Sequence, residues 1–74
     1  MTKLPSLAGE EVIKALVKAG FHKVSQKGSH VKLTHPDGRT IVVPIHKGES
    51  IGKGLMRKIL GDIDMSREEF LKHI

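Results

Sequence analysis

The sequence predicts a small α+β domain: a helix, three antiparallel strands, a second helix and a short third helix, in that order. Three observations predict it. Apolar residues recur at helical spacing in two stretches, residues 10–19 and 53–60. The segment between them holds alternating and β-branched runs cut by glycine-containing turns. A chain of 74 residues has room for one domain and no more, since this size buries only about 60% of its unfolded surface. Residues 1–74 are therefore read as a single domain. A three-stranded antiparallel sheet with helices on one face is its simplest packing.

The first helix is expected over residues 10–19. Val12, Ile13, Leu16 and Val17 share one face, and Glu10, Glu11, Lys14 and Lys18 cover the other. Acids open it and Lys18 closes it, which suits the helix dipole. Ser6 and Gly9 are both candidate caps at its start. Gly20 is the candidate stop, with Phe21 able to fold back on the apolar face. The first strand follows at Lys23–Gln26, and Lys27-Gly28 signals a turn. The second strand runs from Ser29 to His35, with Val31 and Leu33 on one side and His30, Lys32 and Thr34 on the other. Pro36-Asp37-Gly38-Arg39 is a turn with proline at the first bend and glycine free to take positive φ. Thr40–Val43 is β-branched throughout and is stopped by Pro44. A loop from Ile45 to Gly52 leads to the second helix, with Leu55, Met56, Ile59 and Leu60 as its apolar stripe and Gly61 as its end. Ser66-Arg67-Glu68-Glu69 is a capping box that starts a last short helix over Arg67–His73. The element order is also that of double-stranded RNA-binding domains.

Composition narrows the function. The chain is too short for any large cofactor fold. It has no cysteine, so it has no disulfides and no thiolate chemistry. No apolar run approaches the ~20 residues that span a bilayer, and Met1-Thr2-Lys3-Leu4-Pro5 is too short and mixed for a signal segment. The expected setting is the cytoplasm, away from any membrane. The formal net charge is +5, with 13 basic and 8 acidic residues. Between residues 22 and 58 there are eight basic residues against Asp37 and Glu49, and four of the five histidines lie there as well. Such a concentrated positive field favours a polyanion, most readily the phosphates of a nucleic acid. Phe21 and Phe70 are the only aromatic residues, so contacts run through phosphates, hydroxyls and shape rather than base stacking.

His30 is the leading candidate for chemistry. It follows Gly28-Ser29 and lies opposite Val31 and Leu33, so it faces solvent if those two face the core. A neutral imidazole, with an ordinary pKa of about 6.5, can take the proton of a ribose 2′-hydroxyl. The freed oxygen then attacks the adjacent phosphate, as in metal-free RNA cleavage. Lys27 or Lys32 would stabilise the charge that develops on phosphorus. His46, beside Lys47 in a glycine-containing loop, is a candidate acid or phosphate contact. His35, at a hairpin tip on the Val31 side, is read as structural. His30 and His35 are five apart on a strand and point to opposite faces, so no metal set is expected. Gly48-Glu49-Ser50-Ile51-Gly52-Lys53-Gly54 is not a nucleotide-binding loop, because only three residues separate Gly48 from Gly52 and Gly54 follows the lysine. Backbone amides at the start of the second helix, with Lys53 and Arg57, fit an RNA phosphate instead.

Four pieces occur in order: the helix ending Ala19-Gly20-Phe21; Gln26-Lys27-Gly28-Ser29-His30; His35-Pro36-Asp37-Gly38-Arg39 running into Val42-Val43-Pro44; and His46 through Arg57-Lys58-Ile59-Leu60. Together they resemble the HicA family of small toxins, from about Ser6 to Leu60. Leu55 stands where that family often has threonine, Val31 where a second histidine or a polar residue is common, and Ser50 where an acid is common. The resemblance implies a double-stranded RNA-binding-domain-like fold and a metal-independent mRNA interferase with no cofactor. It implies His30 as the catalytic residue and a HicB-type antitoxin, an acidic protein, as partner. The RNA-binding set read beside His30 is Lys27, Gly28, Ser29, Lys32, His46, Lys47, Lys53 and Arg57. The alternative reading is a non-catalytic RNA-binding module that uses the same basic surface.

Overall fold

The computed structural model describes residues 6–74; the reading of Met1–Pro5 lies outside the described residues. The elements are β1 (Leu7–Ala8), α1 (Gly9–Lys18), β2 (His22–Lys27), β3 (His30–Thr34), β4 (Thr40–Pro44), β5 (Ser50–Ile51), α2 (Lys53–Asp62) and α3 (Arg67–Leu71). Strands β2, β3 and β4 form the expected antiparallel sheet, and the fold is that of a small α+β, double-stranded RNA-binding-domain-like protein. Val31 and Leu33 of β3 and Ile41 and Val43 of β4 are buried against Val12, Ala15 and Leu16 of α1 and Met56, Ile59 and Leu60 of α2. The period-2 pattern of the strands thus meets the 3.6-period stripes of two helices on one face of the sheet.

Several local expectations are corrected. α1 is capped by Ala8, not by Ser6 or Gly9; the Ala8 N–H donates to the Glu11 carboxylate at 3.0 Å. Its buried stripe is Val12, Ala15 and Leu16, with Ile13 half-buried against the core, while Val17 is exposed. Gly20 does stop α1. It has φ +108°, and the Gly20 and Phe21 N–H groups donate to Val17 and Leu16, which is a Schellman ending. The segment read as a plain loop before the second helix contains β5. It pairs with β1 in a two-stranded antiparallel ribbon, Leu7 opposite Ile51 and Ala8 opposite Ser50. Two-residue strands leave no periodicity to read.

α2 does not end at Gly61. It runs to Asp62, and the left-handed residue of its Schellman ending is Asp64, with φ 53°. The Met65 and Asp64 N–H groups donate to Leu60 and Gly61. Burial of Ile63 pulls the helix past its glycine. Leu55 is exposed, and Ile63 takes its expected place in the core. Asp64→Gly should therefore stabilise the fold by about 0.5–1 kcal/mol, since glycine adopts that φ without steric cost; an unchanged urea midpoint would contradict this. α3 has five residues, starts at Ser66, whose Oγ accepts the Glu69 N–H at 3.0 Å, and ends at Leu71 rather than His73. So short a helix is held by tertiary contact; here fully buried Phe70 supplies it.

Candidate functional site

The sheet has two distinct ends. At one, the Pro36–Arg39 turn is pinned to the helix layer. The His35 ring packs edge-on against Phe21, with centroids 5.0 Å apart, and its Nδ1 accepts the Asp37 N–H at 3.1 Å. The Arg39 guanidinium lies 5.2 Å from the Phe21 ring centre, donates to Asp37 Oδ2 at 2.8 Å and donates to the Ile63 carbonyl at 2.8 Å. Half-buried His35 is thus structural, as the sequence suggests. The Asp37 carboxyl is held below the ordinary carboxylate range by the Arg39 N–H, then by the Arg39 side chain and the nearby His35. A lowered folded-state pKa means stability that is present above the ordinary value and lost as pH falls through the lowered one. The melting temperature should therefore drop in strong acid, below about pH 4, and Asp37→Asn should flatten part of that drop while lowering neutral-pH stability.

The opposite end carries the candidate chemistry. Lys27 and His30 are paired across β2 and β3, closed by the two-residue turn Gly28–Ser29. Gly28 has φ 59° and Ser29 does not share it, the pattern of a II′ hairpin turn. The Gln26 amide donates to the Gly28 carbonyl at 3.1 Å and braces the turn. His30 is exposed while its neighbours Val31 and Leu33 are buried, as alternation requires. Paired residues on one sheet face have Cβ atoms roughly 5 Å apart, so the Lys27 and His30 side chains stand together. Lys32 is next along β3 on the same face. On the other side of His30 is Pro44 of β4. The following residue, Ile45, donates its N–H to the Ser29 carbonyl at 2.6 Å. The segment that leads to His46 is thereby tied to the base of the Gly28–Ser29 turn.

His46 and Lys47 line a cleft of about 250 Å³ with Ala8, Gly9, Glu10, Ile45 and Gly48. The start of α1 therefore lies at this end. So does the start of α2, because Lys53 follows β5, and β5 pairs with the strand just before α1. Both ten-residue helices direct their positive ends here. α2 has Lys53 in its first turn and no acid. A cation at that position opposes the dipole, a local cost that an incoming anion removes. Lys53 and Arg57, one turn apart, line a second cavity of about 480 Å³ that continues between α2 and α3 to Leu60, Met65 and Arg67. The sequence-predicted residues thus fall into one group on the sheet, Lys27, Gly28, Ser29, His30 and Lys32, and one on the helix side, His46, Lys47, Lys53 and Arg57.

Sequence reasoning missed Gly9 as a site-positioning residue. Its Cα packs directly under Pro44 and Ile45, and nothing in its neighbours' identities signals that approach. Among the described residues, no group of three or more His, Asp or Glu side chains could hold a metal ion, and no helix is long and apolar enough to cross a membrane.

The model of the HicA toxin of bacterial toxin–antitoxin systems matches residues 9–65, which span every element from α1 through α2. The chain belongs to the HicA toxin family. It is thereby a toxin component of a toxin–antitoxin system with a cognate antitoxin. No curated protein matches this HicA chain closely. The matched span contains both groups of basic residues and His30, and it excludes α3.

Proposed function

We propose that this HicA chain is an mRNA-cleaving ribonuclease that needs no metal ion, with His30 as its general base. The observation that carries the reading is an exposed imidazole in register with Lys27, beside a tight glycine turn, at the end where both helices begin. Neutral His30 takes the 2′-hydroxyl proton. The 2′-oxygen forms a bond to phosphorus, and the bond from phosphorus to the 5′-oxygen breaks. The leaving oxygen takes a proton from His46 or from water. Lys27 faces the charge that builds on the phosphoryl oxygens. Gly28 and Ser29 let the backbone come close to RNA, and Lys32, Lys47, Lys53 and Arg57 bind flanking phosphates. The same field draws an acidic HicB-type antitoxin to this surface, where it excludes RNA.

The test is cleavage of a labelled single-stranded RNA in EDTA, with analysis of the ends. The expected products are 2′,3′-cyclic phosphate and 5′-hydroxyl ends. Products with 3′-hydroxyl and 5′-phosphate ends would rule out this chemistry. RNA that is bound and never cut would make the chain a binding module.

A further inference from the structure

One row on the outer face of the sheet is unlike its neighbours. The strand register sets three rows there: Lys27–His30–Pro44, then Ser25–Lys32–Val42, then His22–Thr34–Thr40. A bulge between Lys23 and Ser25 adds Val24 to the middle row, so that two residues of β2 oppose Lys32. Val24 is 51% exposed and Val42 46%. The solvated face of an antiparallel sheet normally carries polar side chains. Strand propensity asks only for a β-branched residue, and the third row meets it with Thr34 and Thr40. The middle row spends the same shape on exposed apolar surface, set around a lysine.

The row's position gives it a use. It lies two residues along β3 from His30, about 7 Å, comparable to the phosphate repeat of an extended RNA strand. An ammonium between two apolar surfaces matches one nucleotide, with its phosphate at the cation and its ribose and base faces on the valines. We propose that Val24, Lys32 and Val42 form the subsite for the nucleotide next to the scissile phosphate, so that RNA runs along β3. This rests on the ribonuclease reading above. The subsite has no aromatic platform for a base, and valine offers no base-edge hydrogen bond, so it accepts any base.

The experiment compares cleavage of the dinucleotide UpdU, whose single 2′-hydroxyl fixes the scissile phosphate, with dUpUpdU and UpdUpdU, which extend it by one nucleotide on the 5′ or the 3′ side. In the unaltered protein, extension on one side should raise kcat/KM about tenfold. Lys32→Gln should cut that gain to twofold or less. The double variant Val24→Thr, Val42→Thr should cut it about threefold through KM. For a fluorescent decauridylate, Lys32→Gln should lower the salt-dependence slope of binding by about 0.7, the share of one phosphate on a single strand, whereas the threonine variants should leave the slope unchanged. If Lys32→Gln leaves the extension gain and the slope intact, the subsite is overturned. It is equally overturned if Arg57→Gln removes the gain instead, because RNA would then run over the helices. Binding that depends on Lys32 without any cleavage would keep Lys32 as an RNA phosphate contact but overturn the ribonuclease reading, and with it the assignment of this row to a scissile phosphate.

Discussion

Replacing His30 with alanine should lower the rate of RNA cleavage by about 10²–10⁴-fold, the usual contribution of a positioned acid or base, with RNA affinity and melting temperature close to wild type. The separation of effects follows from its place in the fold. His30 is the first residue of β3 and is exposed, so its side chain contributes nothing to the core formed by Val31, Leu33, Ile41 and Val43. Its pairing with Lys27 and Pro44 runs through the backbone, which alanine retains. On the proposed reading, RNA affinity rests mainly on phosphate contacts of the surrounding lysines. Single-turnover cleavage in EDTA, beside a binding curve and a thermal melt, separates the three quantities. A His30→Ala protein that cuts at the wild-type rate would take His30 out of the chemistry. The same assay on His46→Ala decides whether the second histidine protonates the leaving oxygen. If it does, that variant is slowed on ordinary RNA but recovers on a substrate with an activated leaving group.

Much of this arrangement can be read from the sequence because its determinants are local. The β3 alternation of Val31 and Leu33 against His30, Lys32 and Thr34 fixes which side chains face solvent, and the structure follows it residue by residue. The turn at Pro36–Arg39 and the stop at Gly20 follow from residues that tolerate few other conformations. Long-range packing was not legible. The β1–β5 ribbon joins residues more than 40 positions apart through two pairs only, too few to leave a pattern. Gly61 carries the local signature of a helix end, yet burial of Ile63 and Met65 outweighs it and moves the stop to Asp64. Val17 and Leu55 extend apolar stripes that the core does not use, since neither helix can turn both edges of its stripe to one sheet.

The site shows the same division. Its sheet half, Lys27 to Lys32, is contiguous in sequence, and the GSH turn announces it. Its helix half comes together only through the ribbon and the close packing of α1 on Pro44–Ile45. The middle row of the outer face was hidden for another reason. Val24 and Val42 read as ordinary strand residues until the register and the bulge place both beside Lys32.

That close packing makes Gly9→Ala the second large effect. A methyl group on Gly9 would fall on the Pro44 carbonyl oxygen, and would lie 2.9 Å from Ile45 Cγ2 and 3.1 Å from Ile45 Cα. Two of those three neighbours are backbone, so no side-chain rotation relieves the clash. The start of α1 must lift away from the end of β4. Such overpacking costs about 2–3 kcal/mol, which in a domain of this size lowers the melting temperature by roughly 10–20 °C. The damage reaches the site, because Ile45 is bound to Ser29 and leads directly to His46. Cleavage should therefore fall further than the unfolded fraction accounts for, even well below the melting temperature. Gly54→Ala is the matched control. It lies within α2, its added methyl meets no atom within 4 Å, and removing a helical glycine should stabilise the protein by up to about 1 kcal/mol. A Gly9→Ala protein that melts within 2 °C of wild type, by a thermal scan read in the far ultraviolet, would mean that the approach of α1 to Pro44 does not hold this end of the molecule together.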